Sequence, residues 1–325
     1  MDFHLDDDQR ALQETVSRFC ENRWPLDGLA ERPADAFDAG AWSEYVELGL
    51  PGLLSSASTG GLGLGCIEAA IVFEQLGRHL TPGPILWSTL AGVVLEDVAS
   101  GDVIATGIDA RDRGPHTVEH LRASGVVLVL GRDGVRKIPV DAIDCDAAEA
   151  PLDPLTPTTL VPTLPEGEAV GDEADVARLA AIGTALAAAL QLGAAQSALE
   201  VAVSYSLERE QFGVPIGSFQ ALKHIMADMY VRIGLARSAT YAAAAVLDDP
   251  AVGHAERSLA GAKLLAGEAA VENGKAAVQI LGGMGFTWEM APHFFLKRGL
   301  ALDYAFGTPK HHALAISESL AGETA

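Results

Sequence analysis

Basic side chains are in short supply in this 325-residue chain: 22 lysines and arginines face 44 aspartates and glutamates, leaving a formal net charge of −22. Nucleic acids and anionic membrane surfaces are bound through a positive field, so this balance argues against both as partners. Cysteine is scarce as well. Cys20, Cys66 and Cys145 stand far apart in neither redox nor metal-type spacing, which speaks against a disulfide framework or a cysteine metal centre and fits a reducing, cytoplasmic compartment. The opening Met1-Asp2-Phe3-His4-Leu5-Asp6-Asp7-Asp8 is acidic, where a secretory leader is basic and then apolar. One charge-free stretch, the 21 residues Leu179–Leu199, is long enough to span a bilayer. It is rich in alanine and interrupted by Thr184, Gln191, Gln196 and Ser197. Alanine gives little transfer energy, so a buried helix of a globular protein is expected there. No internal repeat is evident.

What is present is a helical pattern broken once by β-type sequence. Asp6–Trp24 places Leu12, Val16 and Phe19 at helical spacing behind an acidic start. Phe37–Leu48 and Cys66–Leu80 continue the pattern, the latter stopped by Pro82 and Pro84. Gly60-Gly61-Leu62-Gly63-Leu64-Gly65 has the look of a dinucleotide loop, but it follows Ser- and Thr-rich sequence rather than a strand and reads as a turn before a helix. Between residues 101 and 173 the composition changes. Val103–Ile108, Val126–Leu130 and Val135–Val140 are short β-branched runs, with Arg132-Asp133-Gly134 as a hairpin turn between two of them. Seven prolines from Pro115 to Pro165 suit strands and loops. Long helices are predicted over Asp175–Glu210, Ser218–Asp248 and Ala251–Leu281, with Ser218 as an N-cap and Asp249-Pro250 as a stop. A last helix begins at Thr308-Pro309. The expectation is a mainly α protein with a small β domain: an N-terminal helical domain (1–100), a reduced middle β domain (101–173) and a C-terminal four-helix bundle (174–325).

Two motifs lie in the third part. They are Arg209-Glu210-Gln211-Phe212-Gly213-Val214-Pro215-Ile216-Gly217-Ser218-Phe219-Gln220 and Gln279-Ile280-Leu281-Gly282-Gly283-Met284-Gly285-Phe286, followed some twenty residues later by the pair Gly307-Thr308. Together with Glu74-Gln75-Leu76-Gly77-Arg78, they resemble the flavin-holding segments of the acyl-CoA dehydrogenase family, and the element order resembles that family over nearly the whole chain. The resemblance implies FAD as cofactor, seated on the β domain of one subunit with its adenosine end crossing to a neighbour. The positions it assigns to that crossing end are Arg209, Gln211, Phe212, Gln279, Gly282 and Gly283, with Phe219 and Gln220 extending the surface. Each has a physical rationale. Arginine forms a fork for pyrophosphate, phenylalanine gives a flat contact, and paired glycines let backbone N–H groups approach phosphate. Other readings stand beside these: Arg209 between Glu208 and Glu210 as an ion-paired helix end, and Gly282-Gly283 as a helix C-cap.

The resemblance breaks at the chemistry. The family carries its catalytic glutamate just before the Gly-Thr pair, and here that residue is Phe306. The family's second location for the base falls near Gly183-Thr184, again without a carboxylate. No catalytic residue is therefore assigned. Asp303 is expected to pair with Arg298 or face solvent, His311 and His312 to lie at a surface or interface, and Trp288-Glu289 to serve packing. Residues 100–170 contain no tryptophan and nothing like the Thr-Glu-Pro and Gly-Ser-Asp stretches that seat the isoalloxazine in the family. The resemblance thus points to a subunit of a flavin-dependent acyl-CoA dehydrogenase acting on a CoA thioester, bulky or steroid-derived, in an α2β2 assembly with a catalytic partner subunit. Two alternatives stay open: a homo-oligomeric flavoenzyme with a non-standard base, and a flavin-free scaffold subunit.

Overall fold

A computed structural model describes residues 5–32, 37–111, 116–147 and 151–323. The chain forms two compact units, each assembled from separate stretches: Met1–Arg32, Ala70–Thr81 and Thr184–Ala325 in one, Pro33–Ala69 and Pro82–Gly183 in the other. Elements are numbered in chain order.

The first unit is helical. α1 (Asp7–Arg23) starts in a capping box, in which Asp6 accepts from the Gln9 backbone N–H and Gln9 accepts from that of Asp6. α3 (Cys66–Arg78) begins in the second unit and completes its course here against α6 (Glu173–Glu208). The two backbones approach closely, because a Cβ on Gly77 would strike the Leu190 carbonyl and one on Gly193 the Glu74 carbonyl. Glu74 is buried and accepts from Arg237 at 2.7 Å and from the Tyr241 hydroxyl at 2.8 Å. Burial raises the Tyr241 pKa, with the Glu74 charge adding to the effect, so the phenol stays a donor. α7 (Gln220–Asp248) and α8 (Ala255–Leu281) are joined by a 3-10 turn at Pro250–Val252 and run antiparallel. Fully buried Asn273 of α8 fixes their register: its amide donates to the carbonyls of Met229 (3.2 Å) and Ala195 (3.4 Å) and accepts from Arg232 (3.4 Å). α9 (Pro292–Leu302) and α10 (Pro309–Glu323) complete the unit, and the Thr308 hydroxyl accepts from His311 N–H at the start of α10. α6 is long and apolar enough to cross a membrane, but 78% of its most apolar window is buried inside the protein, as a core helix requires.

The second unit holds α2 (Ala39–Glu47), α4 (Ile85–Gly92), α5 (Glu96–Ala99) and seven strands: β1 (Ala105–Asp109), β2 (His116–Glu119), β3 (Val126–Leu130), β4 (Val135–Pro139), β5 (Asp146–Ala147), β6 (Thr158–Val161) and β7 (Glu168–Gly171). One sheet runs β1-β3-β4-β7 and the other β2-β6-β5. β1 and β3 are parallel, with Ala105 opposite Val126; β3 and β4 form the hairpin expected around Arg132–Gly134. Ile108, Val127, Val129 and Ile138 from one sheet meet Val118 and Val161 from the other in a common core. The mainly α fold with a small β domain is as expected. Three features differ. Ser218 does not cap α7: the N-cap is Phe219, without a side-chain bond, and the Ser218 hydroxyl donates instead to the Pro215 carbonyl at 2.7 Å. Short strands β2, β5, β6 and β7 add a second sheet and a further edge to the expected runs. α9 occupies a stretch where no helix was expected.

Candidate functional site at one end of the bundle

α6 ends at Glu208, and the chain turns into a small hairpin, β8 (Glu210–Gln211) against β9 (Val214–Pro215). Ile216 N–H donates to the Arg209 carbonyl at 2.8 Å and closes it. Its tip is Phe212-Gly213, both left-handed with φ of 56° and 79°, the primed-turn geometry that matches strand twist. Phenylalanine is an unusual choice there, and its ring is 94% exposed, touched edge-on by Phe219 at a centroid distance of 6.2 Å. Among the described residues the Arg209 guanidinium has no ion pair or hydrogen bond, for Glu208 takes the Ser204 hydroxyl (3.5 Å) and Gln211 donates to the Glu210 carbonyl (2.7 Å). The ion-paired helix end is not formed.

The antiparallel register fixed by Asn273 puts the start of α7 and the end of α8 at the same end of the helix pair. Phe219 and Gln220 are thereby brought to the level of the Gly282–Phe286 turn. Gln279 is exposed on the last turn of α8. Gly282 is the C-cap, with φ of 62° and its N–H donated to the Gln279 carbonyl, so the C-cap reading holds for this glycine. It does not extend to Gly283. That residue lacks a left-handed φ, and a Cβ built on it meets nothing within 4 Å. Gly285 is different, since its Cβ would lie 2.6 Å from the Val278 carbonyl oxygen.

Beyond α9, Phe306 occupies the position before Gly307-Thr308. It is 3% exposed and left-handed (φ 55°), next to Gly307 at φ 112°. A polar cluster lies around this turn. Lys263 of α8 is buried and donates to the Leu302 carbonyl at 2.8 Å; burial pulls its pKa down to about 8 against the opposing charge of Asp303. Asp303 accepts from the Gln191 amide at 2.8 Å and rests against Gly267, where a Cβ would clash with its carboxylate. His312 is also buried, contrary to the surface or interface position expected for it. Burial drives its pKa down to about 4, with Lys263 and His311 adding to the effect and the Phe306 and Gly307 carbonyls opposing it. Near Phe306 the one acid the sequence offered is thus tied to the Gln191 amide, with the charge of buried Lys263 nearby, which suits a structural role better than a proton acceptor.

Residues 6–100 match the acyl-CoA dehydrogenase N-terminal domain and residues 177–321 the acyl-CoA dehydrogenase C-terminal domain. This chain belongs to the acyl-CoA dehydrogenase family. It is 32% identical over 321 residues to the acyl-CoA dehydrogenase IpdE2 of Mycolicibacterium smegmatis, covering 94% of this chain and 96% of that protein. Among solved structures it resembles the ChsE4–ChsE5 complex from Mycobacterium tuberculosis, with a TM-score of 0.84 and 22% identity over 99% of both chains. It also resembles a Tcur3481–Tcur3483 steroid acyl-CoA dehydrogenase variant, with a TM-score of 0.83 and 21% identity over 98% and 99% of the two chains.

In an acyl-CoA dehydrogenase the group to be held is FAD, and the bundle end fits the anionic, flat half of it. Arg209 is an unneutralised cation, Phe212 is an aromatic ring held in the open, and Gly283 leaves space that the chain's own packing does not require. The β domain offers no such match. A tryptophan does reach it, Trp87 of α4 against Gly107 of β1, but it is supplied by a helix rather than a strand. Two groupings were missed from the sequence: the Gln191–Asp303 bond beside buried Lys263, and a ring cluster around Trp288. Trp288 packs on His293 and Phe294 as expected, yet remains 57% exposed. The first depends on the register between helices far apart in the chain; the second is local to residues 288–297 and forms because α9 brings His293, Phe294 and Lys297 onto one side of Trp288.

Proposed function

We propose that this chain is the catalytically reduced subunit of a heteromeric, α2β2 acyl-CoA dehydrogenase. Its bundle contributes Arg209, Gln211, Phe212, Phe219, Gln220, Gln279, Gly282 and Gly283 to the adenosine and pyrophosphate end of an FAD seated mainly on a partner chain. Bound FAD supplies the hydride acceptor for α,β-dehydrogenation of a CoA thioester, and the partner supplies the base. This chain's own contribution is to bind and orient the cofactor and to exclude water from it. The observation that carries the reading is the contrast between the two motif sites. Phe306 is buried at the glutamate position with no free acid beside it, whereas Phe212, Arg209 and Gly283 stand open at the bundle end. A left-handed phenylalanine that is 94% exposed costs backbone strain and exposed apolar area without return inside this chain. Six exposed aromatics, Phe212, Phe219, Tyr230, Phe286, Trp288 and Tyr304, all lie in the helical unit, the enrichment that protein interfaces show. A bulky or steroid-derived acyl group is the favoured substrate, by analogy with the steroid dehydrogenase it resembles in fold.

The test is flavin content and subunit ratio, measured on the chain purified alone and co-expressed with a catalytic acyl-CoA dehydrogenase chain. One FAD per pair of unlike chains, and none on this chain alone, is the expected result. One reducible FAD per chain without a partner would refute the proposal.

A further inference from the structure

Directly after the glycine turn the chain folds back on itself. Thr287 N–H and hydroxyl both donate to the Met284 carbonyl (3.0 and 2.8 Å), and Met290 N–H donates to that of Thr287 (3.2 Å). This tight path sets Trp288 on the first turns of α9. Its indole meets His293 edge-on at 5.3 Å and Phe294 at 5.7 Å, and the Lys297 ammonium stands 4.6 Å from its centroid. The ring is therefore held on three sides and open on the rest, 57% exposed. Beneath it His293 is only 4% exposed, tilted against Phe294 at 4.1 Å, and among the described residues neither of its ring nitrogens has a hydrogen-bond partner. Burial lowers the pKa of this imidazole, with Lys297 adding to the effect; the Thr287 carbonyl is near enough to oppose it but not in hydrogen-bonding geometry. Buried polar nitrogens left unpaired are costly, and they mark a cluster that its own chain does not complete.

We infer that Trp288 and Lys297, supported by His293, form a contact for an adenosine diphosphate moiety: the indole stacks on the adenine and the ammonium meets a phosphate. The inference rests on the proposed cofactor-binding role of the bundle end and adds residues to it. A flat aromatic with a cation within 5 Å complements a ligand that joins a purine to a pyrophosphate. Trp288 follows the open Gly283 by five residues, directly after the turn offered to phosphate. Adenosine diphosphate is common to FAD and to CoA, so the experiment must separate the two sources.

ADP is titrated into the full-length chain, both alone and within the co-expressed complex stripped of flavin, comparing wild type with Trp288→Ala, Trp288→Phe and Lys297→Met. In at least one preparation Trp288→Ala is expected to weaken ADP about tenfold, with Trp288→Phe restoring most of the affinity, as loss and rescue of one base–aromatic stack would do. Lys297→Met is expected to weaken it less, with a deficit that shrinks as salt rises. In the complex, a matching loss of FAD affinity with an unchanged KM for the acyl-CoA assigns the contact to the flavin; the opposite pattern assigns it to CoA. Equal ADP affinities for wild type and Trp288→Ala in both preparations would overturn the inference. So would a Trp288→Ala chain that fails to assemble while binding ADP normally, since that makes Trp288 a partner contact. Failure of the shared-flavin reading shows separately, in the flavin content of the wild-type complex.

Discussion

Two glycines two positions apart, Gly283 and Gly285 on either side of Met284, give opposite answers to one question: what needs the glycine? At Gly283 an added methyl meets nothing within 4 Å and φ is not left-handed. Alanine there is expected to leave the isolated fold unharmed or to stabilise it by about 0.4–1 kcal/mol, by restricting the unfolded chain. At Gly285 the same methyl would sit 2.6 Å from the Val278 carbonyl oxygen and 2.8 Å from the Val278 Cα, both backbone atoms of α8. The helix end must then shift, a cost of about 1–3 kcal/mol. The two variants therefore separate by roughly 1–4 kcal/mol, which at about 2 °C per kcal/mol for a protein of this size is a gap of some 2–8 °C in Tm. Flavin retention should run the other way. In the co-expressed complex, Gly283→Ala places its methyl where a pyrophosphate would approach the backbone, and FAD affinity should fall about tenfold. Thermal unfolding of the single chains and flavin content of dialysed complexes measure the two effects. Equal destabilisation by both substitutions, or a Gly283→Ala complex with undiminished FAD affinity, would refute the reasoning.

Two further outcomes test the core. His312 has its folded pKa lowered to about 4 from 6.5, so the unfolded chain binds the extra proton first as pH falls. Stability is then greatest above pH 6.5 and is lost on acidification towards pH 4, by about 2–3 kcal/mol from this group; urea midpoints at pH 7 and 4.5 should converge in His312→Gln relative to wild type. Glu74→Ala strips Arg237 and Tyr241 of their shared acceptor. A loss near 3 kcal/mol is expected, at the low end for a buried pair because the Arg237 side chain is 40% exposed, and chemical denaturation would read it directly.

The elements with local codes were legible. The acidic start at Asp6 announces a helix, Pro82 and Pro84 announce a stop, and Arg132-Asp133-Gly134 announces a hairpin, each through the limits of a few consecutive residues. The two motif segments were legible as patterns, and Phe306 as a departure from one. What escaped was set by distance. Ser218 has the chemistry of a cap, but the hairpin before it turns its hydroxyl towards Pro215. β2 and β6 have only four residues each and make sense only opposite one another. His312 looked like a surface residue because nothing near it in sequence reveals that the Phe306–Gly307 turn and Lys263 close around it.

The division of the helical unit into three separate stretches also governs how the chain reaches its structure. α3 must find α6 across an interposed segment of about a hundred residues, and the glycine-to-backbone fit at Gly77 and Gly193 admits no loose version of that encounter. A ribosome therefore releases α3 long before the surface it packs on exists. The reverse also holds: residues 184–325, expressed as a bundle by themselves, would present α6 without its α3 cover and Arg237 without Glu74. The half of the molecule that carries the motifs is not a detachable module, and its folding waits on the whole polypeptide.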